Sequence, residues 1–109
     1  MEGYVARGSI MIGNEERFAE AGFTTAGGCH SLQNAKRHVL RRLCNILRTH
    51  HQGIEGFVWW PDLPKKSRNQ WLDRVSETLR WIDLDGGRGA HFHSITSQEF
   101  VQALQQAVA

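Results

Sequence analysis

The sequence has few cysteines, few prolines and no long apolar run. Its 109 residues include two prolines and two cysteines, Cys29 and Cys44. So few cysteines exclude the disulfide framework of a small secreted domain. No apolar stretch approaches the roughly 18 residues that span a bilayer, and the first residues lack a basic segment followed by an apolar core. We therefore expect a cytoplasmic protein with reduced thiols and no membrane segment.

Positive and negative charges are nearly balanced along the chain, except in one segment. The formal net charge is +2, with four acids and two bases in residues 1–34 and seven acids and six bases in residues 51–109. Residues 35–50 contain five bases and no acid. The whole positive excess is therefore concentrated in one short segment.

Hydrophobic periodicity and the residues that flank it predict an α/β domain. The predicted strands are residues 4–13, 54–60 and 91–95, and the predicted helices are residues 14–22, 31–51, 65–83 and 96–109. Strands that alternate with helices favour a small, largely parallel or mixed sheet of about three strands, with helices packed on it. We expect residues 1–109 to form one layered domain.

Three of the predicted helices have recognisable ends. Ser31 is a potential cap of the long basic helix, and Thr96 and Glu99 have the spacing of a capping box. For residues 14–22 the helix prediction depends on Asn14 as a cap, acids in the first turn and Gly22 as a stop. An apolar stripe indicates that each of the three longer helices has one buried face.

The segment GFVWWPD, residues 56–62, places two tryptophans side by side. Trp59 and Trp60 project to opposite faces if the segment is a strand. A small sheet has few helices to cover it, so one of its faces can stay partly open. Trp81 lies roughly 130° from the apolar stripe of its predicted helix. We interpret Trp59, Trp60 and Trp81 as anchors of a homodimer interface, since aromatic residues are enriched where proteins meet; packing of Trp81 at the helix end is the alternative.

The basic helix suggests a second kind of partner. Its arginines could contact the phosphates of a nucleic acid; they are Arg37, Arg41, Arg42 and Arg48. No helix-turn-helix, zinc-finger or RNA-binding signature accompanies them. The alternative is an ordinary solvated helix face.

Two residues are candidates for catalysis by a small hydrolase or transferase. Cys29, in AGGCHS beside His30, precedes a helix N-terminus, where a thiolate would be stabilised. Asp62 follows a predicted strand, and sites in parallel sheets gather at that end. The sequence shows no oriented base for a cysteine nucleophile. A loop with an incidental thiol is the simpler interpretation of Cys29.

The histidines His91 and His93 form an H-x-H pair that puts both rings on one strand face. Such a pair can contribute to a metal or acid–base cluster. His91 stands at the start of its predicted strand, however, so we interpret the two as surface histidines.

These observations favour a non-catalytic interaction module that forms homodimers and requires no cofactor or metal. Nucleic-acid binding through residues 31–51 is the first alternative, and catalysis by Cys29 or Asp62 is the second.

Overall fold

The computed structural model describes residues 3–24, 27–28, 31–50, 64–84 and 89–108. These residues form one mixed sheet with three helices, which confirms the predicted α/β class. In chain order the elements are β1 (Gly3–Ile12), β2 (Glu15–Thr24), β3 (Gly27–Gly28), α1 (Leu32–His50), α2 (Lys65–Thr78), β4 (Ile82–Leu84), β5 (Gly89–Thr96) and α3 (Ser97–Val108). The predicted strand 54–60 lies outside the described residues.

The sheet has five strands in the order β3-β2-β1-β5-β4. Only β1 and β5 pair in parallel, while the other three pairs are antiparallel. The strand count exceeds the predicted three because β2 and the short edge strands β3 and β4 were not predicted. Within the described residues, β3 and β4 are the outer strands of the sheet.

The predicted helix over residues 14–22 is wrong, because these residues form β2, the hairpin partner of β1. Gly13 and Asn14 form the two-residue turn between the strands, and Gly13 has a φ of +62°. A positive φ at the first central position is typical of the tight turns that match strand twist. Asn14 is therefore a turn residue and not a helix cap.

One face of the sheet carries the helices. The alternate residues of the hairpin that face them are small or aliphatic, and the buried ones are Ala6, Ile10, Ala19 and Ala21. They share one core cluster with the apolar stripes of all three helices. Alanine on the strands lets the α1 backbone approach the sheet closely, so α1 packs across β1 and β2.

The helix caps confirm two sequence predictions. The hydroxyl of Ser31 accepts a hydrogen bond from the backbone N–H of Asn34 at 3.2 Å, at the start of α1. At the start of α3, Thr96 Oγ1 accepts from the Glu99 N–H at 3.0 Å, and the Glu99 carboxylate accepts from the Thr96 hydroxyl at 3.1 Å. This reciprocal pair is a capping box.

Helix α2 is shorter than predicted. It ends at Thr78, and Leu79 has extended backbone angles. Residues 79–83 are therefore not helical, and Ile82 begins strand β4. No helix within the described ranges is long and apolar enough to cross a membrane.

Candidate interaction surface

The sheet face opposite the helices, which we call the open face, is the most distinctive surface of the described residues. It is formed by Val5, Arg7, Ser9 and Met11 of β1, Glu16, Phe18, Glu20 and Gly22 of β2, Ile82 of β4 and His91 of β5. These residues share a face because strand side chains alternate and cross-strand partners point the same way.

Three large hydrophobic side chains are exposed in the described residues: Val5 and Phe18 lie on the hairpin part of the open face, and Ile82 lies on the outer strand β4, where it also lines the cleft beside α3. Phe18 is 62% exposed, Ile82 53% and Val5 41%. Single exposed apolar residues are ordinary. Val5 and Phe18 do not form one continuous patch, because the Arg7–Glu20 row lies between them.

A shallow dimple of about 180 Å³ lies beside Phe18. Its lining includes Arg7, Ser9 and Glu16 in addition to Phe18. Ser9 is only 3% exposed and is the one buried polar residue of the described part. A projecting aromatic ring thus lies next to a recess of small volume, on the same surface.

Charges of both signs cross the open face. Arg7 donates two hydrogen bonds to Oε2 of Glu20, at 3.0 Å from Nε and 2.6 Å from Nη2. Both side chains are about half exposed. The pair adds little to stability by itself, since exposed ion pairs contribute roughly 0–1 kcal/mol. It leaves the face without the positive excess that a nucleic acid would require.

Two of the four candidate arginines of the basic helix form hydrogen bonds to other elements of the chain. Arg37 forms a bidentate pair with Asp73 of α2, at 2.7 and 2.6 Å, and Asp73 raises the pKa of the guanidinium. Arg42 donates to the backbone carbonyl of Glu20 at 2.9 Å, and thereby joins α1 to β2. Arg41 is partly buried, and Arg48 is exposed on another part of the helix. The four arginines therefore do not form one free row.

His38 lies on the exposed side of the same helix. Burial lowers its pKa, and the nearby charges of Arg41 and Arg42 lower it further. The imidazole is therefore held in its neutral form at neutral pH. His38 therefore adds no positive charge of its own to this helix.

The two described tryptophans are both used in packing. Trp71 is 4% exposed and donates from Nε1 to the carbonyl of Leu104 at 3.1 Å. Trp81 is partly buried and donates to the carbonyl of Ser76 at 3.0 Å. Trp59 and Trp60 lie outside the described residues, so their predicted interface role stays a prediction.

Trp81 links the sheet to α1. Its ring meets Phe92 edge-on, with 4.7 Å between centroids, and the Lys36 ammonium lies 5.0 Å from the indole centroid. Both contacts are favourable, and they account for the position of the Trp81 ring by packing within one chain. The interface role predicted for Trp81 remains a prediction.

The catalytic candidates Cys29 and Asp62, with the side chains of His30 and His93, lie outside the described residues. Cys44 is fully buried in the core, and burial raises the pKa of its thiol. Among the described residues, no group of three His, Cys, Asp or Glu side chains could hold a metal ion.

A larger cleft of about 460 Å³ lies where α2 ends, between β4 and α3. Apolar side chains such as Ile95 and Leu79 line it together with the polar Arg80, Glu99 and Gln102. Its volume is within the range of small-molecule sites. The polar residues are exposed ones at its rim, and they do not form a cluster with evident chemistry.

Sequence reasoning missed the open face because it assigned Phe18 to a helix. The signals that could have found it are the Gly13-Asn14 pair, which favours a two-residue hairpin, and the small residues at positions 19 and 21, which alternate with exposed ones. Comparison of the chain with family models, curated proteins and solved structures gave no match.

Proposed function

We propose that this chain is a non-catalytic interaction module that self-associates. The observation that supports it most is the placement of the exposed Phe18 and Val5 on the hairpin face that no described helix covers. Apolar side chains gain roughly 25 cal/mol for each Å² that they remove from water. Burial of these side chains against a second molecule contributes favourably to association and offsets part of the entropy that association costs.

The alternative functions have less support from the described residues. Phosphate binding through α1 would require cations that are available to solvent, whereas Arg37 is paired with Asp73 and Arg42 binds a backbone carbonyl. Catalysis would depend on Cys29 or Asp62, and both lie outside the described residues. We expect a cytoplasmic protein, as the sequence suggested.

Analytical ultracentrifugation tests the proposal. Sedimentation velocity should show a weight-average mass that rises from that of the 12.4 kDa chain towards twice this value as concentration increases. A mass that stays at 12.4 kDa up to millimolar concentration would contradict self-association. A parallel series with added duplex DNA at low salt tests the nucleic-acid alternative, since phosphate-driven binding must weaken steeply as salt is added.

A further inference from the structure

We propose that two copies pack open face to open face, around a two-fold axis that runs along the strands between β1 and β2. The inference rests on the proposed self-association, and it names the surface, the symmetry and the residues that meet. Homodimers of this kind are isologous, so each contact occurs twice.

The hairpin register makes the open face self-complementary. Across β1 and β2 the facing pairs are Val5 with Gly22, Arg7 with Glu20, Ser9 with Phe18 and Met11 with Glu16. Two of these rows set a large apolar residue beside a small one, and one sets a base beside an acid. The large member alternates between the strands, with Val5 on β1 and Phe18 on β2.

Rotation about an axis parallel to the strands places β1 of one copy over β2 of the other. Each cross-strand pair keeps its position along the strands, so it faces the same pair of the second copy with the two residues exchanged. Phe18 of one copy then lies over Ser9 of the second copy, where the dimple of about 180 Å³ provides space. Val5 lies in the same way over Gly22 of the second copy, which has no side chain to displace. Phe18 and Val5 therefore each meet a small residue of the second copy.

The charged row is complementary under the same operation. Glu20 of one copy lies over Arg7 of the second copy, so the two internal ion pairs combine into a group of two bases and two acids. Opposite charges across an interface favour the correct register and disfavour others. A polyanion would not gain from this row, because its positive charge is already matched.

The size of the surface sets the expected strength. The molecule measures 44 × 34 × 21 Å along its principal axes, as expected for one sheet layer and one helix layer with two broad sides. Strands β1 and β2, which this axis places over each other in the two copies, cover roughly 30 × 10 Å in projection, from about 3.3 Å per residue and 4.8 Å between strands. This is less than half of the ~800 Å² per partner in a standard interface, so we expect a weak, reversible dimer.

Charge-reversed variants provide the test. Arg7→Glu gives a chain whose Arg7–Glu20 row contains only acids, and Glu20→Arg gives a chain in which the same row contains only bases. Each variant alone should raise the dimer dissociation constant by about tenfold or more, since like charges then meet across the interface. An equimolar mixture should recover dimerisation as a heterodimer, because acids of one chain then face bases of the other.

Matched controls come from the second ion pair of the hairpin. Glu15 and Arg17 are paired at 2.6 Å and lie on the helix side of β2. Glu15→Arg makes the same change of charge as Glu20→Arg, and Arg17→Glu makes the same change as Arg7→Glu. Neither control variant should alter the dimer dissociation constant. Circular dichroism checks that all four variants remain folded.

The outcomes separate this inference from the proposed function. If wild type dimerises while the mixture stays monomeric, or if the helix-side controls weaken the dimer equally, the face-to-face arrangement is wrong and self-association stands. If wild type is a monomer at every concentration, both fail. Binding of an added protein by a monomeric wild type would assign the open face to a different partner and would likewise overturn the inference.

Discussion

Gly8 of β1 lies directly against the ring of Phe92 on β5, its parallel neighbour, and a Cβ atom at Gly8 would overlap the far end of that ring. The ring is 2% exposed and is held edge-on by Trp81. It therefore has little room to move. The glycine that interrupts the apolar pattern of β1 is explained by this contact.

Gly8→Ala should therefore destabilise the fold. Overpacking of a core site typically costs about 1–3 kcal/mol, and chemical denaturation of the variant measures it. The double variant Gly8→Ala/Phe92→Leu should lose less stability than the sum of the two single variants, because the smaller side chain leaves space for the methyl group. Simple additivity of the two losses would contradict the overlap.

The Arg37–Asp73 pair joins α1 to α2 and should contribute to stability. Its side chains are 23% and 27% exposed, so solvent screens it only in part. Asp73→Ala removes both hydrogen bonds and should lower the free energy of unfolding by roughly 1–3 kcal/mol, as for hydrogen bonds to charged groups. Glu77→Ala removes an exposed acid from the same helix and should change it by less than about 0.5 kcal/mol. Equal losses in the two variants would show that the pair has no specific role.

His38 should titrate below its ordinary value of 6.5, because burial and the charges of Arg41 and Arg42 lower its pKa. The unfolded chain takes up this proton near pH 6.5 while the folded chain does not. Protonation therefore favours the unfolded chain. The free energy of unfolding is unaffected by His38 above about pH 6.5 and decreases as the pH falls from there through the folded-state pKa. Imidazole NMR titration measures the pKa directly. Arg42→Gln should raise it, whereas an unchanged or lower value in that variant would exclude the charge effect.

The thiol of Cys44 should be inert in the folded chain. It is fully buried, and burial raises its pKa, so little thiolate forms. In a Cys29→Ser background, a thiol reagent at pH 8 should modify Cys44 only as fast as the chain unfolds. The rate should rise with denaturant in parallel with unfolding. Reaction under native conditions at the rate of a free cysteine would contradict this burial.

Local sequence signals predicted the elements that depend on local interactions. Helices α1 and α3 were correct because each has a long apolar stripe and a capping residue, Ser31 or Thr96, that forms the expected hydrogen bond. Periodicity over several turns and a side-chain cap are both readable without knowledge of the tertiary structure.

The errors arose where tertiary contacts override propensity. Residues 15–21 are rich in Glu and Ala, which favour helices, yet pairing with β1 and burial of Ala19 and Ala21 under α1 make them a strand. Trp81 was assigned to a helix, although its position off the apolar stripe was a sign that the helix had ended. The hairpin that forms the open face was readable from the Gly13-Asn14 pair, but its place in the sheet was not, because that depends on the order of the strands.

The most direct test of the central claim is the concentration dependence of the ¹H–¹⁵N spectrum. Between low micromolar and millimolar protein, we expect amide shifts to change along β1 and β2, centred on Arg7, Phe18 and Glu20. The amides of Asn45 and Arg48, exposed on α1, should stay constant. A spectrum that does not change with concentration, or one whose changes are confined to α1, would contradict the account.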